Sequence, residues 1–156
     1  MRAPWPEPSW IEVEPFPFLE ARLPFTGPTR KRDFISIRYF RRPEGALTAI
    51  AYFGPMSEGA PGQVHGGAVL TVLDEALGAA AWHAGHPVLT VRLNTEFRKP
   101  VATGVEVLVD ISVGQKRHRL LSVEGKLVGH SGEVYAQAHG RFMELDEPSQ
   151  RRLLGR

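Results

Sequence analysis

The sequence predicts an α+β domain in which an antiparallel sheet of about six strands wraps around one long central helix. Three observations carry this. One segment, residues 66–83, is long enough for about five helical turns and apolar around most of its circumference, through Ala68, Val69, Leu70, Val72, Leu73, Ala76, Leu77, Ala79, Ala80, Ala81 and Trp82. Around it lie six segments of strand character, two before and four after. Short polar or glycine-bearing links join the last strands, as in antiparallel hairpins. A helix apolar on nearly all sides must be buried on nearly all sides, and a sheet wrapped around it is the simplest way to do so.

The elements follow in order. Seven of the 13 prolines fall in the first 28 residues, so no regular element is expected there. The stretch nevertheless carries Trp5, Trp10, Ile11, Phe16, Phe18 and Phe25, too many large apolar groups for a disordered tail. Residues 1–32 therefore read as an extended arm that packs on the domain or on a partner subunit. "DFISIRYF" (33–40) and "ALTAIAYF" (46–53) alternate as strands around the turn "RRPEG", and residues 54–64 form an irregular loop. The helix over 66–83 ends at "HAGHP", with Gly85 as its cap and Pro87 beyond. Strands are expected over 88–97, 104–114, 119–129 and 133–145, which makes residues 33–145 the globular domain. The tail, 146–156, is polar and expected to fray.

Composition narrows the function classes. The 156 residues suit one domain, and 42% apolar with 23% charged residues is ordinary for a soluble protein. Without cysteine there are neither disulfides nor thiolate metal sites. No apolar run is long enough to span a membrane, and the N-terminus lacks a signal-peptide core, so a cytoplasmic protein is expected. The net charge of +2, with basic clusters in "TRKR" and "RYFRR", favours an anionic partner only weakly. Neither a DNA-binding helix pair nor an aromatic-rich RNA motif is visible, so nucleic acid is not an expected partner.

The chemistry lies in "GQVHGGAVLTVLDEALG", residues 62–78. Gly67, Thr71, Asp74 and Gly78 recur at helical spacing and make one small, polar stripe on an otherwise bulky helix. Asp74 is too far along to cap the helix. It is either a buried carboxylate bonded to a neighbour or a reactive one. His65, Gly66 and Gly67 sit where free backbone N–H groups leave the helix start, as a local His cap or as a site for negative charge. An anion-stabilising helix start and a buried carboxylate together suit acyl transfer. Gly66 and Asp74 are eight residues apart, a rise of about 12 Å. One helix cannot bring both to the same carbonyl carbon, so a site using both needs a second chain.

"VHGGAVLTVLDEALG", "LTVRLNTEFRKPV" and the strand-rich segment from "VLVDISVG" to "GRFMEL" resemble the hotdog-fold acyl-CoA thioesterases, and among them the THEM4 type of the PaaI-like group. The resemblance covers roughly residues 33–145. It implies hydrolysis of an acyl-CoA thioester, with coenzyme A as part of the substrate and no further cofactor or metal. It implies sheets joined side by side in homodimers, which often pair again into tetramers. Asp74 takes the position of the family's catalytic acid, as general base or nucleophile, with Glu75 as runner-up. Gly66 takes that of the oxyanion N–H, His65 that of the residue shaping its loop, and Thr90 that of the Ser or Thr on the following strand. Gly67, Arg98, Lys99, Arg117 and Arg119 are the candidate coenzyme A contacts, the cations for its phosphates. Some relatives carry an Asn six residues before the His. Here that position is Gly59, with Glu58 or Gln63 as replacements.

Alternation along residues 89–97 places Thr90, Arg92, Asn94 and Glu96 on one face and Leu89, Val91, Leu93, Thr95 and Phe97 on the other. His83 and His86 have no carboxylate cluster beside them, which argues against a zinc site. Two rival functions stay open: a hydratase or dehydratase acting on thioesters, and a non-catalytic acyl-CoA or RNA-binding protein.

Overall fold

The computed structural model describes residues 4–17, 25–26 and 32–155. Its centre is the helix α1, Gly66–His83, with the bounds the sequence predicts. Both ends are chemically fixed. The His65 ring accepts from the Gly67 N–H at the start. At the end, the N–H groups of Gly85 and His86 donate to the carbonyls of Trp82 and Ala81, with Gly85 at φ +92°. That left-handed turn is the reason for a glycine at 85.

Among the described residues seven strands, one more than expected, form one antiparallel sheet: β1 (Ile11–Val13), β2 (Ile35–Arg41), β3 (Leu47–Phe53), β4 (Val88–Phe97), β5 (Glu106–Arg117), β6 (Leu120–Val128) and β7 (Val134–Glu144). Their order across the sheet is β1-β2-β3-β5-β6-β7-β4. α1 thus leaves from β3 near one side and delivers the chain to β4 at the opposite edge. The helix packs on every strand from β2 to β7, and Val72, Leu73, Ala76, Leu77 and Ala79 are fully buried. The sheet comes closest where β6 and β7 carry glycine. A Cβ on Gly125 would lie 2.6 Å from Leu77 Cδ2, and one on Gly140 would lie 3.5 Å from Leu77 Cδ1.

Two expectations are corrected. The proline-rich arm does contain a regular element: Ile11, Glu12 and Val13 pair with Arg41, Phe40 and Tyr39 of β2. Three residues between prolines suffice for an edge strand, because an edge requires partners on one side only. The described parts of the arm pack on the domain. Trp5 stacks on His130 and Trp10 lies against Phe40 on one face, while Phe16 meets Tyr39 and Trp82 on the helix side. Phe18, also expected to pack, lies outside the described residues. Second, the tail does not fray from its start, since residues Glu147–Leu154 form a helix, α2. Asp146 caps it by accepting from the Ser149 N–H, and Gly155 ends it at φ +67°. The sheet leaves one side of α1 open, the side on which the small, polar residues lie. The stripe of Gly67, Thr71, Asp74 and Gly78 is left facing a cavity or the surface.

Candidate active site

The stripe on α1 and the start of β4 meet in a cavity of about 330 Å³. Thr71, Asp74, Glu75 and Gly78 line it from α1, Thr90 from β4 and Phe142 from β7. The arm contributes Phe16, Phe25 and Thr26. Most of the exposed wall is apolar.

Asp74 and Thr90, 16 residues apart in sequence, are joined directly: the Thr90 hydroxyl donates to Asp74 Oδ1 at 2.7 Å. An irregularity in β4 makes this possible. Thr90 pairs with Phe142 and Arg92 with Arg141, so Val91 is an extra residue without a partner. This bulge reverses the alternation. Thr90 shares the helix side of the sheet with fully buried Phe142, and beyond the bulge that side is held by Leu93, Thr95 and Phe97. The face assignment for Thr90, made by strict alternation with Arg92, Asn94 and Glu96, is therefore corrected, because the bulge turns those three outward.

Glu75 lines the same cavity, but both of its oxygens are occupied. Tyr39 donates its hydroxyl to Oε1 at 2.7 Å, and the Thr26 hydroxyl donates to Oε2. Burial raises the Glu75 pKa above the ordinary value of 4.5, more than these two hydrogen bonds lower it. Tyr39, fully buried beside Glu75, is likewise held well above its ordinary value, chiefly by desolvation. A carboxyl whose oxygens both accept internal bonds is poorly placed to take a proton from water. Of the adjacent acids, Asp74 has the geometry of a base and Glu75 that of an anchor. Neither Tyr39 nor Thr26 stands out in the sequence, since they lie 36 and 49 residues from Glu75.

The helix start lies at a second cavity, of about 230 Å³, lined by Gly66, Phe97, Arg98, Lys99 and Tyr135 among others. His65 Nδ1 accepts from Gly67 at 2.8 Å, so the imidazole is the tautomer with its proton on Nε2. The His is thus a cap, and it uses the Gly67 N–H. Among the described residues nothing accepts from the Gly66 N–H. Of the two glycines, Gly66 alone keeps a donor for a ligand. Gly59 is where an Asn would collide with the His: a Cβ there would lie 2.9 Å from His65 Cα. Glu58 bonds the Gly62 N–H, and Gln63 bridges to Ala102, so neither is brought to Asp74.

The candidate phosphate contacts separate into two groups. Arg98 and Lys99 stand by Gly66, with Arg98 also bonded to Gln137 at 2.7 Å. Arg119 donates to the Glu144 carbonyl at 2.9 Å. Glu144 pairs with Val88, so Arg117 and Arg119 belong to the other end of β4. Ten residues of strand, on the order of 30 Å, lie between the groups. One chain does not bring all four cations to one phosphate. Nor does it join Gly66 to Asp74, which open into different cavities. His83 and His86 diverge, toward Gly45 and Glu144 respectively, and no cluster of metal-binding side chains occurs among the described residues.

An antiparallel sheet packed on a helix that carries HGG at its start and an acid mid-length defines a class. The fold is the hotdog fold, shared with solved proteins of the thioesterase superfamily. The family model of that superfamily matches residues 61–136. Among curated proteins the chain is similar to the acyl-coenzyme A thioesterases THEM4 of Bos taurus and THEM5 of Mus musculus. The first is 35% identical over 95 residues, 60% of this chain and 38% of that one. The second is 30% identical over 115 residues, 72% of this chain and 46% of that one. The chain thus spans about half or less of the curated relatives it matches. Two solved structures share the fold. The BH2602 protein of Bacillus halodurans, solved with CoA, has a TM-score of 0.58 at 29% identity, over 63% of this chain and 66% of that one. The PaaI protein of E. coli, from the phenylacetic acid degradation operon, has a TM-score of 0.63 at 14% identity, over 72% and 80%. No helix among the described residues is long and apolar enough to cross a membrane.

Proposed function

We propose that this protein is an acyl-CoA thioesterase, with Asp74 as its reacting carboxylate and Thr90 as the residue that orients it. The observation that carries the reading is the 2.7 Å bond from Thr90 to Asp74 at the wall of an apolar cavity, in a domain that the thioesterase-superfamily model matches. In the general-base form, Asp74 takes a proton from water and the hydroxide adds to the thioester carbon. The Gly66 N–H stabilises the oxyanion. Collapse breaks the C–S bond, and the proton passes to the sulfur, giving free acid and coenzyme A. A nucleophilic Asp74 reaches the same products through an anhydride that water then opens. The two forms differ in whether solvent oxygen enters the acid directly or through Asp74.

The site is completed by a second copy of the chain. Gly66 and Asp74 open into different cavities of one chain, and β4 is an uncovered edge carrying Leu89, Val91 and Phe97, each more than half exposed. Two β4 edges paired antiparallel would bring the Arg98 end of one toward the Arg119 end of the other. In that homodimer Gly66, Arg98 and Lys99 of one chain serve Asp74 of the other, with Arg117 and Arg119 beside it.

The test is release of free thiol from a panel of acyl-CoA thioesters. Wild type is expected to release it, and a folded Asp74→Asn protein to lose about 10²–10⁴-fold in turnover, as befits removal of an acid–base group. Full activity in Asp74→Asn would end the assignment. A change of unsaturation in enoyl-CoA without thiol release would instead identify a hydratase.

A further inference from the structure

We propose that the N-terminal arm forms the wall and far end of the acyl cavity, with Phe16 as a stop that limits the acyl group to short and medium chains. The inference rests on the thioesterase reading of the site. The arm reaches the cavity at two places. Phe16 packs edge-on against Trp82, ring centroids 6.4 Å apart, and against Tyr39 at 6.3 Å. Phe25 and Thr26 line the other part, where Phe25 lies 5.8 Å from Phe34 and Thr26 is bonded to Glu75. Glu75, held in turn by Tyr39, thereby fastens the arm to the catalytic helix one residue from Asp74.

The direction of the acyl chain follows from the lining. From Asp74 the cavity runs three residues back to Thr71 and eight residues forward to Trp82. The backward end adjoins a cavity of mixed lining, where Ser57, Glu58 and His65 stand among Phe25, Phe34 and Met56. The forward end is walled by Trp82, Val88, Leu89 and Phe142 and is apolar. Eight helical residues rise about 12 Å. An extended chain advances about 1.3 Å per bond, from the 3.8 Å that three bonds span between Cα atoms. The carbonyl at Asp74 is therefore followed by roughly nine bonds before the chain meets the Phe16–Trp82 pair. Octanoyl fits that space, whereas palmitoyl must displace the Phe16 ring.

The experiment is calorimetric titration of the full chain with non-hydrolysable thioether analogues of butanoyl-, octanoyl-, dodecanoyl- and palmitoyl-CoA. Wild type, Phe16→Ala and Phe16→Trp are compared after circular dichroism confirms folding, and Phe16→Leu replaces the alanine variant if that one does not fold. Wild type is expected to bind octanoyl about tenfold or more tighter than palmitoyl, the scale on which a pocket registers excess methylenes. Phe16→Ala is expected to narrow that ratio by about tenfold, and Phe16→Trp to weaken octanoyl relative to butanoyl. The proposal is overturned if wild type binds palmitoyl as tightly as octanoyl, if the ratio is unmoved in the folded smaller variant, or if no analogue binds. Thiol release from the natural thioesters, measured in parallel, separates the two readings. A wild type that sorts the analogues by length yet releases no thiol loses the hydrolase assignment, while the titrations still decide the arm.

Discussion

At the scale of single residues, two neighbouring acids on one helix have been given different work by their partners. Asp74 receives one bond, from a hydroxyl at the start of a strand; Glu75 receives two and is largely desolvated. Thr90→Ala is expected to lower kcat by about tenfold or more while KM moves little, because a hydroxyl that orients the base acts mainly in the transition state. Steady-state kinetics on one acyl-CoA checks this, and an unchanged kcat would return Thr90 to a structural role. Glu75 makes stability depend on pH. Its folded pKa is raised, so between the ordinary 4.5 and that raised value the unfolded chain has released the proton and the native chain still holds it. Stability contributed by Glu75 is present below that window and is lost as pH rises through it. Glu75→Gln keeps a neutral group able to accept from Tyr39. Thermal midpoints taken from pH 4.5 upward should therefore fall less steeply in Glu75→Gln than in wild type, and parallel curves would refute the account. The candidate acid was legible from its position alone, but the division of labour was not. It depends on Tyr39 and Thr26, which arrive through tertiary contacts that no spacing rule encodes.

At the scale of elements, α1 was legible to the residue because its signals are local: a capping His, a run of apolar turns, then Gly85 and Pro87. β4 was legible in extent but not in phase. A bulge leaves no mark in an apolar, β-branched stretch such as "LTVRLN", and strict alternation then assigns Thr90 to the wrong face. The helix over 147–154 had readable signals in Asp146, Pro148 and Gly155, masked by a composition that resembles a tail. The strand in the arm had none, since prolines on both sides argue against it. The fit of helix to sheet is itself testable. Gly125→Val pushes a side chain into Leu77, which is fully buried and has nowhere to go. Denaturant unfolding should show a loss of about 1–3 kcal/mol, the usual effect of overpacking a dense core. A variant as stable as wild type would show that α1 can lift from β6 without penalty.

At the scale of the whole molecule, the separation of Gly66 from Asp74 makes the proposed shared site testable by arithmetic. Asp74→Asn and Gly66→Pro chains, each shown to fold and to dimerise, should be nearly inactive as homodimers. Proline is tolerated at the first position of a helix, so the second variant removes the N–H without breaking α1. When the two are unfolded and refolded together, about half the dimers are mixed and each holds one intact site of two, so about a quarter of wild-type activity should return. Mixed dimers confirmed by tagged-chain pull-down but without recovered activity would exclude the composite site. The dimer was inferred from the rise of a helix, which the sequence supplies. Which edge would be open to such pairing was not legible, because it depends on strand order across the sheet.

The place of β1 has a consequence for how such chains can accumulate. A sheet has two lateral ends, and each unpaired end is an invitation to another strand. Here one end is occupied by three residues of the protein's own arm, bracketed by Pro8 and Pro15, and a proline offers a newcomer no N–H to bond. The outermost strand in that row is short and offers little length for a further strand to pair with. Among the described residues β4 is the long open edge, so the proposed pairing through β4 would leave only the two short β1 edges facing the solution. Lateral growth beyond such a pair would have only three residues per end to build on, so the same short strand that helps hold the arm at the cavity also works against a fibre.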